Sequence, residues 1–154
     1  QRYTLGGLNF DAVVIADFEE SLKSVSTSLL YTDVSPKNKY FITLNQWFDE
    51  SLLNENSLQP LYYPSINQKN LKSFESKFKK EFKEQPNYLS LLSYDLVGLI
   101  YYLTLKSENL DINKLFKMKN SFKGKIGTFV IENNKINHKL NFYQVDDRTI
   151  KKIF

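Results

Sequence analysis

The chain of 154 residues has no cysteine and a single histidine, which removes several common kinds of site. Without cysteine there can be no disulfide framework, thiolate zinc site or cysteine nucleophile. Without a second histidine, no imidazole pair can join a carboxylate in a metal site. His138 lies in a polar stretch that resembles a turn, where an isolated histidine is usually exposed to solvent. We therefore expect no enzyme, no metal and no cofactor.

Long apolar runs are also missing. The longest run, about residues 96–105, falls well short of the ~20 residues that a transmembrane helix needs. The sequence starts at Gln1 without an initiator methionine or a basic-then-apolar leader, so we expect any signal peptide to be absent or already removed. With 42% hydrophobic and 25% charged residues, the composition is that of a globular chain able to bury a core.

Two short segments, a lysine cluster and a Gly-Lys sequence, are candidates for binding phosphate groups, and neither has the residue pattern that such a site needs. The net charge is only +4, and lysines cluster only in KFKKEFK at 77–83, where Glu81 interrupts them. That pattern favours a solvated helix face over a nucleic-acid site. GKIGT at 124–128 lacks the Ser or Thr that follows Gly-Lys in a phosphate loop, so its glycines more plausibly shape the entry into a hairpin. No nucleic-acid partner is expected.

The first part of the chain alternates strand, helix and strand. The run at 12–16 predicts a central strand buried on both faces. A helical spacing of apolar residues follows, and KYFITL at 39–44 completes a βαβ unit. A third short run, LYYP, occupies 61–64. These features predict a three-layer Rossmann-like α/β fold with a mainly parallel sheet.

From residue 61 to 121 the pattern becomes helical. One helix is predicted over 67–84 and ends before Pro86, and a second is predicted over 88–106. A shorter helix is expected around 112–118. The first helix carries the apolar stripe Leu71, Phe74, Phe78 and Phe82, and the second presents Leu89, Leu92, Leu96, Leu99 and Leu103. We expect the two helices to pack against each other through Phe74, Phe78, Leu92, Leu96 and Leu99.

From Gly124 the apolar period switches to two, which indicates strands. Runs at 126–131 and 140–145 flank an Asn-rich polar stretch that contains His138. The pattern predicts one C-terminal antiparallel hairpin between these two runs.

The order of these segments resembles the C-terminal half of type I periplasmic binding proteins. The segments concerned are FDAVVIADF, FITLNQWFDESLL, SFESKFKKEFKEQP, SLLSYDLVGLIYYL and FKGKIGTFVI. Within that superfamily the sequence looks closest to the bacterial penicillin-binding-protein activators, the LppC-like lipoproteins, which are relatives of the leucine/isoleucine/valine-binding proteins. The most specific features are Gln85-Pro86 leading to Tyr94-Asp95, and Phe122-Lys123-Gly124 with Gly127.

The resemblance implies two Rossmann-like lobes with a ligand cleft between them. Residues 1–60 and 122–154 would belong to the second lobe, and 61–121 would pack on the first lobe, whose strands are absent from this sequence. The remainder of that lobe or a partner chain would then cover Phe74, Phe78 and Phe82, because monomers rarely expose a large apolar patch.

The family places a Tyr-Asp pair on a helix at the edge of the first lobe, where this sequence has Tyr94 and Asp95. A carboxylate on so apolar a helix needs a partner, because burying it unpaired costs several kcal/mol. A structural hydrogen bond is therefore favoured over a functional role for Asp95.

Open α/β sheets bind ligands beyond the carboxyl ends of their strands, so the candidate ligand site lies in the two loops that follow the first strands. Its residues are Asp17, Phe18, Asn45, Gln46 and Trp47. Trp47 could cap a cleft or pack into the core.

In the amino-acid-binding relatives, the second of these loops supplies a carboxylate for the α-ammonium group of the ligand. Here the matching residue is Asn45, a neutral amide that cannot make such a charge-assisted bond. Asp17 or Asp49 could compensate for it.

Two functions follow from the resemblance. In the first, which Asn45 favours, the protein is a non-catalytic, lipid-anchored periplasmic activator that binds a peptidoglycan synthase. In the alternative, it is the solute-binding subunit of an importer for an amino acid or another small molecule. The absence of a nucleophile and base pair argues against an enzyme.

Overall fold

The computed structural model describes residues 9–44, 50–106, 111–117 and 119–154. The strands are β1 (Ala12–Ile15), β2 (Tyr40–Thr43), β3 (Leu61–Ser65), β4 (Asn120–Lys123), β5 (Thr128–Glu132), β6 (Lys135–Lys139), β7 (Asn141–Asp146) and β8 (Thr149–Lys152). The helices are α1 (Glu19–Leu30), α2 (Gln68–Phe82), α3 (Tyr88–Lys106) and α4 (Ile112–Lys117), with 3₁₀ turns at Glu50–Asn54 and Asn56–Leu58. In the part of the chain described, no helix is long and apolar enough to cross a membrane.

The chain divides into two compact units, and each is described by itself. One unit comprises Gln1–Ser65 with Asn141–Phe154, and the other comprises Ile66–Leu140. These divisions lie five residues after the first predicted boundary, at 60, and 19 residues after the second, at 121. The assignment of segments to the two lobes of a binding protein stays a prediction.

The first unit contains a mixed sheet with the strand order β1-β2-β3-β7-β8. β1, β2 and β3 are parallel, with Val14 opposite Ile42, whereas β7 and β8 run antiparallel to their neighbours. α1 connects β1 to β2 and completes the predicted βαβ unit. The second unit has a separate antiparallel sheet with the order β4-β5-β6. The predicted α/β fold class is therefore confirmed.

β1 is not the central strand that its composition predicts. Among the described residues it pairs only with β2, at the edge of the sheet. Ile15 points into a core with Leu22 and Phe41, but Val14 on the opposite face is 58% exposed. A continuous apolar run shows that both faces suit burial, but it cannot show whether a second layer covers both. The predicted position of this strand is wrong for the part of the chain described.

The predicted helices α2 and α3 are present within about two residues of their expected bounds. α2 begins after Asn67, whose side-chain oxygen accepts a hydrogen bond from the Asn70 N–H at 3.1 Å. It ends at Lys83, which adopts the left-handed conformation common at helix ends, with φ of 61°. The predicted third helix is also present as α4, while Met118 lies outside the described residues.

The buried face of α3 differs from the predicted one. Leu91, Asp95, Leu99 and Leu103 are buried at a regular spacing of four residues, whereas Leu89 is 68% and Leu96 46% exposed. Leu99 and Leu103 pack on Ile131 of β5, so α3 covers the small sheet. The helix is apolar on nearly every side, and therefore its sequence periodicity cannot select the buried face.

The predicted contact between α2 and α3 is correspondingly wrong for Leu96 and Leu99, while the contact through Leu92 stays a prediction. The Phe74 ring lies 5.2 Å from the Tyr94 ring in an edge-to-face arrangement. Leu96 is exposed, and Leu99 belongs to the cluster over the sheet.

The predicted pairing of 126–131 with 140–145 is wrong, because β5 and β7 belong to different sheets. β5 pairs with β6 across Asn133 and Asn134, which both have positive φ as in a type I′ turn. β7 instead pairs with β3 and β8 in the other sheet. The sequence of β6 resembles turn material because most of its side chains are polar, and in the structure most of them are exposed.

Candidate functional site

The predicted ligand site lies at the edge of the first unit where β1 and β2 end. The two strands are parallel and Ile15 pairs with Thr43, so both strands end at the same edge of the sheet. Asp17 and Phe18 follow β1 at this edge, and their role as ligand-binding residues stays a prediction. Asn45, Gln46 and Trp47 lie outside the described residues, so their predicted role stays a prediction.

Asp17 and Phe18 offer two different kinds of contact. One Asp17 carboxylate oxygen accepts the Phe18 N–H at 2.9 Å, which holds the side chain beside the start of α1. Asp17 is partly exposed, and the Phe18 side chain is 55% exposed. The other Asp17 oxygen has no hydrogen-bond donor among the described residues. A carboxylate beside an exposed aromatic ring suits a ligand with a cationic and an apolar part.

Thr43 is a feature of this edge that the sequence did not reveal. It is the last residue of β2 and is fully buried, and its hydroxyl has no hydrogen-bond partner within the described ranges. A buried hydroxyl without a partner is uncommon and costly. Threonine is a frequent strand residue, so nothing in the sequence pattern distinguishes this one.

Asp95 has the structural role that sequence analysis favoured. Its carboxylate is buried and accepts the backbone N–H groups of Lys125 at 2.7 Å and Ile126 at 2.8 Å. These two donors belong to a tight loop that is closed by a 2.7 Å bond from the Gly124 N–H to the Gly127 carbonyl. A β-carbon on Gly124 would lie 2.2 Å from the Asp95 carboxylate. The loop therefore requires glycine at 124 and a carboxylate on α3.

His138 is not in a turn, which corrects the sequence-based expectation. It lies in β6, is partly buried, and stacks on the Phe129 ring at 4.4 Å between centroids. Its Nε2 atom has no hydrogen-bond partner within the part of the chain described. Burial lowers the pKa of His138 below its ordinary value, and the negative charge of Asp95 opposes that shift. An imidazole stacked on a phenylalanine ring indicates packing, and the described residues include no cluster of His, Cys, Asp or Glu able to hold a metal.

The second unit also contains an open groove of about 1000 Å³ between α2 and α3. Phe74, Phe78 and Phe82 form one wall, and Tyr94 and Val97 form part of the other. Tyr94 is 59% and Phe82 60% exposed, so the groove is open to solvent along much of its length. The sequence predicted the aromatic stripe on α2, but it did not predict a groove beside it.

The fold is that of solved ligand-binding proteins. The structure is similar to an extracellular ligand-binding receptor from Desulfohalobium retbaense, with a TM-score of 0.62 and 17% sequence identity over 93% of this chain and 26% of that one. It is also similar to the leucine-binding protein LivK from Thermotoga maritima, with a TM-score of 0.60 and 15% identity over 94% of this chain and 44% of that one.

The structural similarity carries information about the fold alone. No protein-family model and no curated protein sequence matches the chain. The chain shares the fold of part of each of these two solved proteins, which agrees with the predicted α/β fold class. The chain spans only 26% and 44% of the lengths of the two solved proteins.

Proposed function

We propose that this chain is part of a non-catalytic periplasmic binding protein that takes a small-molecule solute at the carboxyl ends of β1 and β2. The observation that supports the proposal is the parallel pairing of these strands, because it brings Asp17 and Phe18 to the same edge of the sheet as Thr43 and Leu44. Ligands of open α/β sheets bind at this edge. The similarity to a ligand-binding receptor and a leucine-binding protein supports the same class of function.

The described residues favour a solute with a cationic group and an apolar part, such as an amino acid. The Asp17 carboxylate would receive the cationic group, and the exposed Phe18 ring would cover the apolar part. We assign Asn45, Gln46 and Trp47 to the same site on the strength of the family resemblance.

A thermal-shift screen of the protein that contains this chain, against amino acids and small peptides, tests this function. A solute at ~100 times its dissociation constant adds about 2.7 kcal/mol to the free energy of unfolding. We expect a response that is lost in Asp17→Asn and weakened in Phe18→Ala. Asp11→Asn is the matched control, because Asp11 is an exposed aspartate just before the opposite end of β1. No response to any solute, or an equal loss in the control, would contradict the proposal.

The second candidate function is the activator role, in which a lipid-anchored protein binds a peptidoglycan synthase. Its support is Asn45, which stands where amino-acid-binding relatives have a carboxylate, so that the strongest expected contact with an α-ammonium group is absent. This role would be favoured if no solute raised the melting temperature in the screen and if the protein captured a penicillin-binding protein from solubilised membranes. A solute response that depends on Asp17 would exclude it as the main function.

We further propose that the apolar surface around α2 and α3 is covered by another polypeptide segment. This segment is either the remainder of the first lobe or a partner chain. Phe74 is buried, but Phe82 is 60% exposed and Val97 67%. Exposed apolar surface this extensive is uncommon in a soluble monomer. Sedimentation of these 154 residues alone as a compact, stable monomer would count against the covering.

A further inference from the structure

The imidazole of His138 lies directly against the loop that Asp95 holds. A β-carbon added to Gly127 would lie 2.2 Å from Nε2, but 2.9 Å from Cδ2 and 3.3 Å from Cε1, the two ring atoms bonded to it. The Nε2 corner of the ring therefore points at Gly127 and fills the space that a side chain would need there. A hydrogen atom on Nε2 would have to fit into the same space.

The Nε2 atom is also enclosed within this chain, and it has no hydrogen-bond partner in the described ranges. With a proton, it would be a buried donor without an acceptor, which is costly. Without a proton, its lone pair tolerates the C–H group of Gly127. Because atoms of this chain already bury Nε2, a further segment of the protein has no access to it. The contact therefore favours an imidazole that carries its proton on Nδ1 and none on Nε2.

Gly127 is the residue that closes the loop. Its carbonyl accepts the Gly124 N–H at 2.7 Å, and the N–H groups of the two residues between them, Lys125 and Ile126, donate to Asp95. A displacement of Gly127 would break the closing bond and move both of these donors. The protonation of one ring nitrogen is therefore coupled to the position of the loop.

The groups around the imidazole decide when it takes up a proton. From α3, the negative charge of Asp95 favours the protonated ring, while burial, the larger effect, opposes it. From β5, Phe129 does not titrate. Lys125 belongs to the loop, but it lines the groove between α2 and α3, and Lys139 follows on β6 and by strand alternation points to the opposite face. Since burial is what disfavours the proton, opening of the loop makes its uptake easier.

We propose that His138 is a pH-sensitive switch for the loop at 124–127. The loop is closed while Nε2 is unprotonated, and protonation of Nε2 opens it and releases the Lys125 and Ile126 N–H groups from Asp95. The inference does not depend on solute binding, which concerns residues of the other unit.

NMR of the protein that contains this chain tests the switch. At about pH 7.5, the ¹⁵N shifts of the imidazole should show the proton of His138 on Nδ1. At about pH 5.5, ten times more acidic than its ordinary pKa of 6.5, protonation favours the open loop about tenfold. The hydrogen-exchange protection factors of the Lys125 and Ile126 amides, which correct for the direct effect of pH, should therefore be about tenfold lower than at pH 7.5.

Urea separates opening of the loop from unfolding of the whole unit. The loop amides should be less protected than the Leu99 amide on α3, and low concentrations of urea should hardly affect them, because a local opening exposes little surface. If the loop amides and Leu99 have the same protection and the same dependence on urea, the loop does not open by itself and the proposal is overturned.

Two substitutions test the contact itself, and circular dichroism checks that each variant is folded. His138→Gln should make the protection of the loop amides equal at the two pH values. Gly127→Ala should displace the imidazole, so it should lower the protection at pH 7.5 and remove the pH dependence. Gly98→Ala is the matched control, since its β-carbon would meet only the edge of the Phe122 ring, and it should retain the wild-type response.

Three results would overturn the proposal. The first is a proton on Nε2 of His138 at pH 7.5. The second is equal protection of the loop amides at the two pH values in the wild type. The third is a fall in protection that persists in His138→Gln or in Gly127→Ala.

Discussion

Replacing Asp95 with alanine is the most direct test of the physical reasoning. The substitution removes the acceptor of two short hydrogen bonds, from the N–H groups of Lys125 and Ile126. Ile126 is fully buried, so water cannot easily replace the carboxylate there. A buried donor left without its acceptor costs about 1–3 kcal/mol, and more where the lost acceptor is charged, so we expect a total loss of about 3–5 kcal/mol. That is a large part of the ~5–15 kcal/mol that stabilises a typical domain.

Hydrogen exchange measured by NMR, together with urea unfolding, provides the assay. In the wild type, the Lys125 and Ile126 amides should exchange slowly. In Asp95→Ala they should exchange about two to three orders of magnitude faster, as a loss of this size requires. Asp95→Asn retains only one acceptor oxygen and should lie between the two.

Asp11→Ala is the matched control for stability, because Asp11 is exposed and its side chain has no recorded partner within the described residues. It should change the free energy of unfolding by less than about 0.5 kcal/mol. If Asp95→Ala stays within about 1 kcal/mol of the wild type while both loop amides remain protected, the carboxylate does not hold the loop and the reasoning is refuted.

Two further predictions concern the same loop. Gly124→Ala should cost about 2–4 kcal/mol in urea unfolding, because its β-carbon would meet the Asp95 carboxylate at 2.2 Å. Gly98→Ala, whose β-carbon would lie 3.2 Å from the edge of the Phe122 ring, should stay within about 1 kcal/mol, and an equal cost for the two would contradict the geometry. The pKa of His138 is lowered in the folded protein, and its ordinary value is 6.5. When the pH falls through 6.5, this histidine therefore binds a proton more readily in the unfolded chain than in the folded one. Wild-type stability should therefore be fully present above that pH and decrease as the pH falls through it, and His138→Gln should remove this component. Urea midpoints of the wild type and of His138→Gln, measured from about pH 7.5 to 5.5, check this, since His138 is the only histidine. If the midpoints of the two proteins changed with pH in the same way, the prediction would be refuted.

Part of the candidate site followed from the sequence, and part did not. The position of Asp17 and Phe18 at the carboxyl end of β1 followed from the strand pattern, and their role as ligand-binding residues stays a prediction based on where open α/β sheets bind ligands. The need of Asp95 for a partner also followed, because a carboxylate on an apolar helix is costly unless it is bonded. Its partners could not be predicted, because backbone N–H groups have no sequence signature and these lie 30 and 31 residues away. The unpartnered Thr43 hydroxyl and the groove beside α2 depend on how whole elements pack.

The sequence by itself determined the α/β class, the first parallel unit and the positions of the main helices. These properties depend on local periodicity and on helix-ending residues such as Pro86, which act over a few neighbouring residues. The tertiary structure alone decided that β1 lies at an edge of the sheet formed by the described strands, that α3 buries the face with Asp95, and that β5 pairs with β6 while β7 joins the other sheet. The spacing of apolar residues shows which face of a helix or strand is apolar, but it does not show which element packs on that face. An apolar strand, or a helix that is apolar on every side, can pack against several different elements. Contacts between residues far apart in the chain decide which of these packings forms.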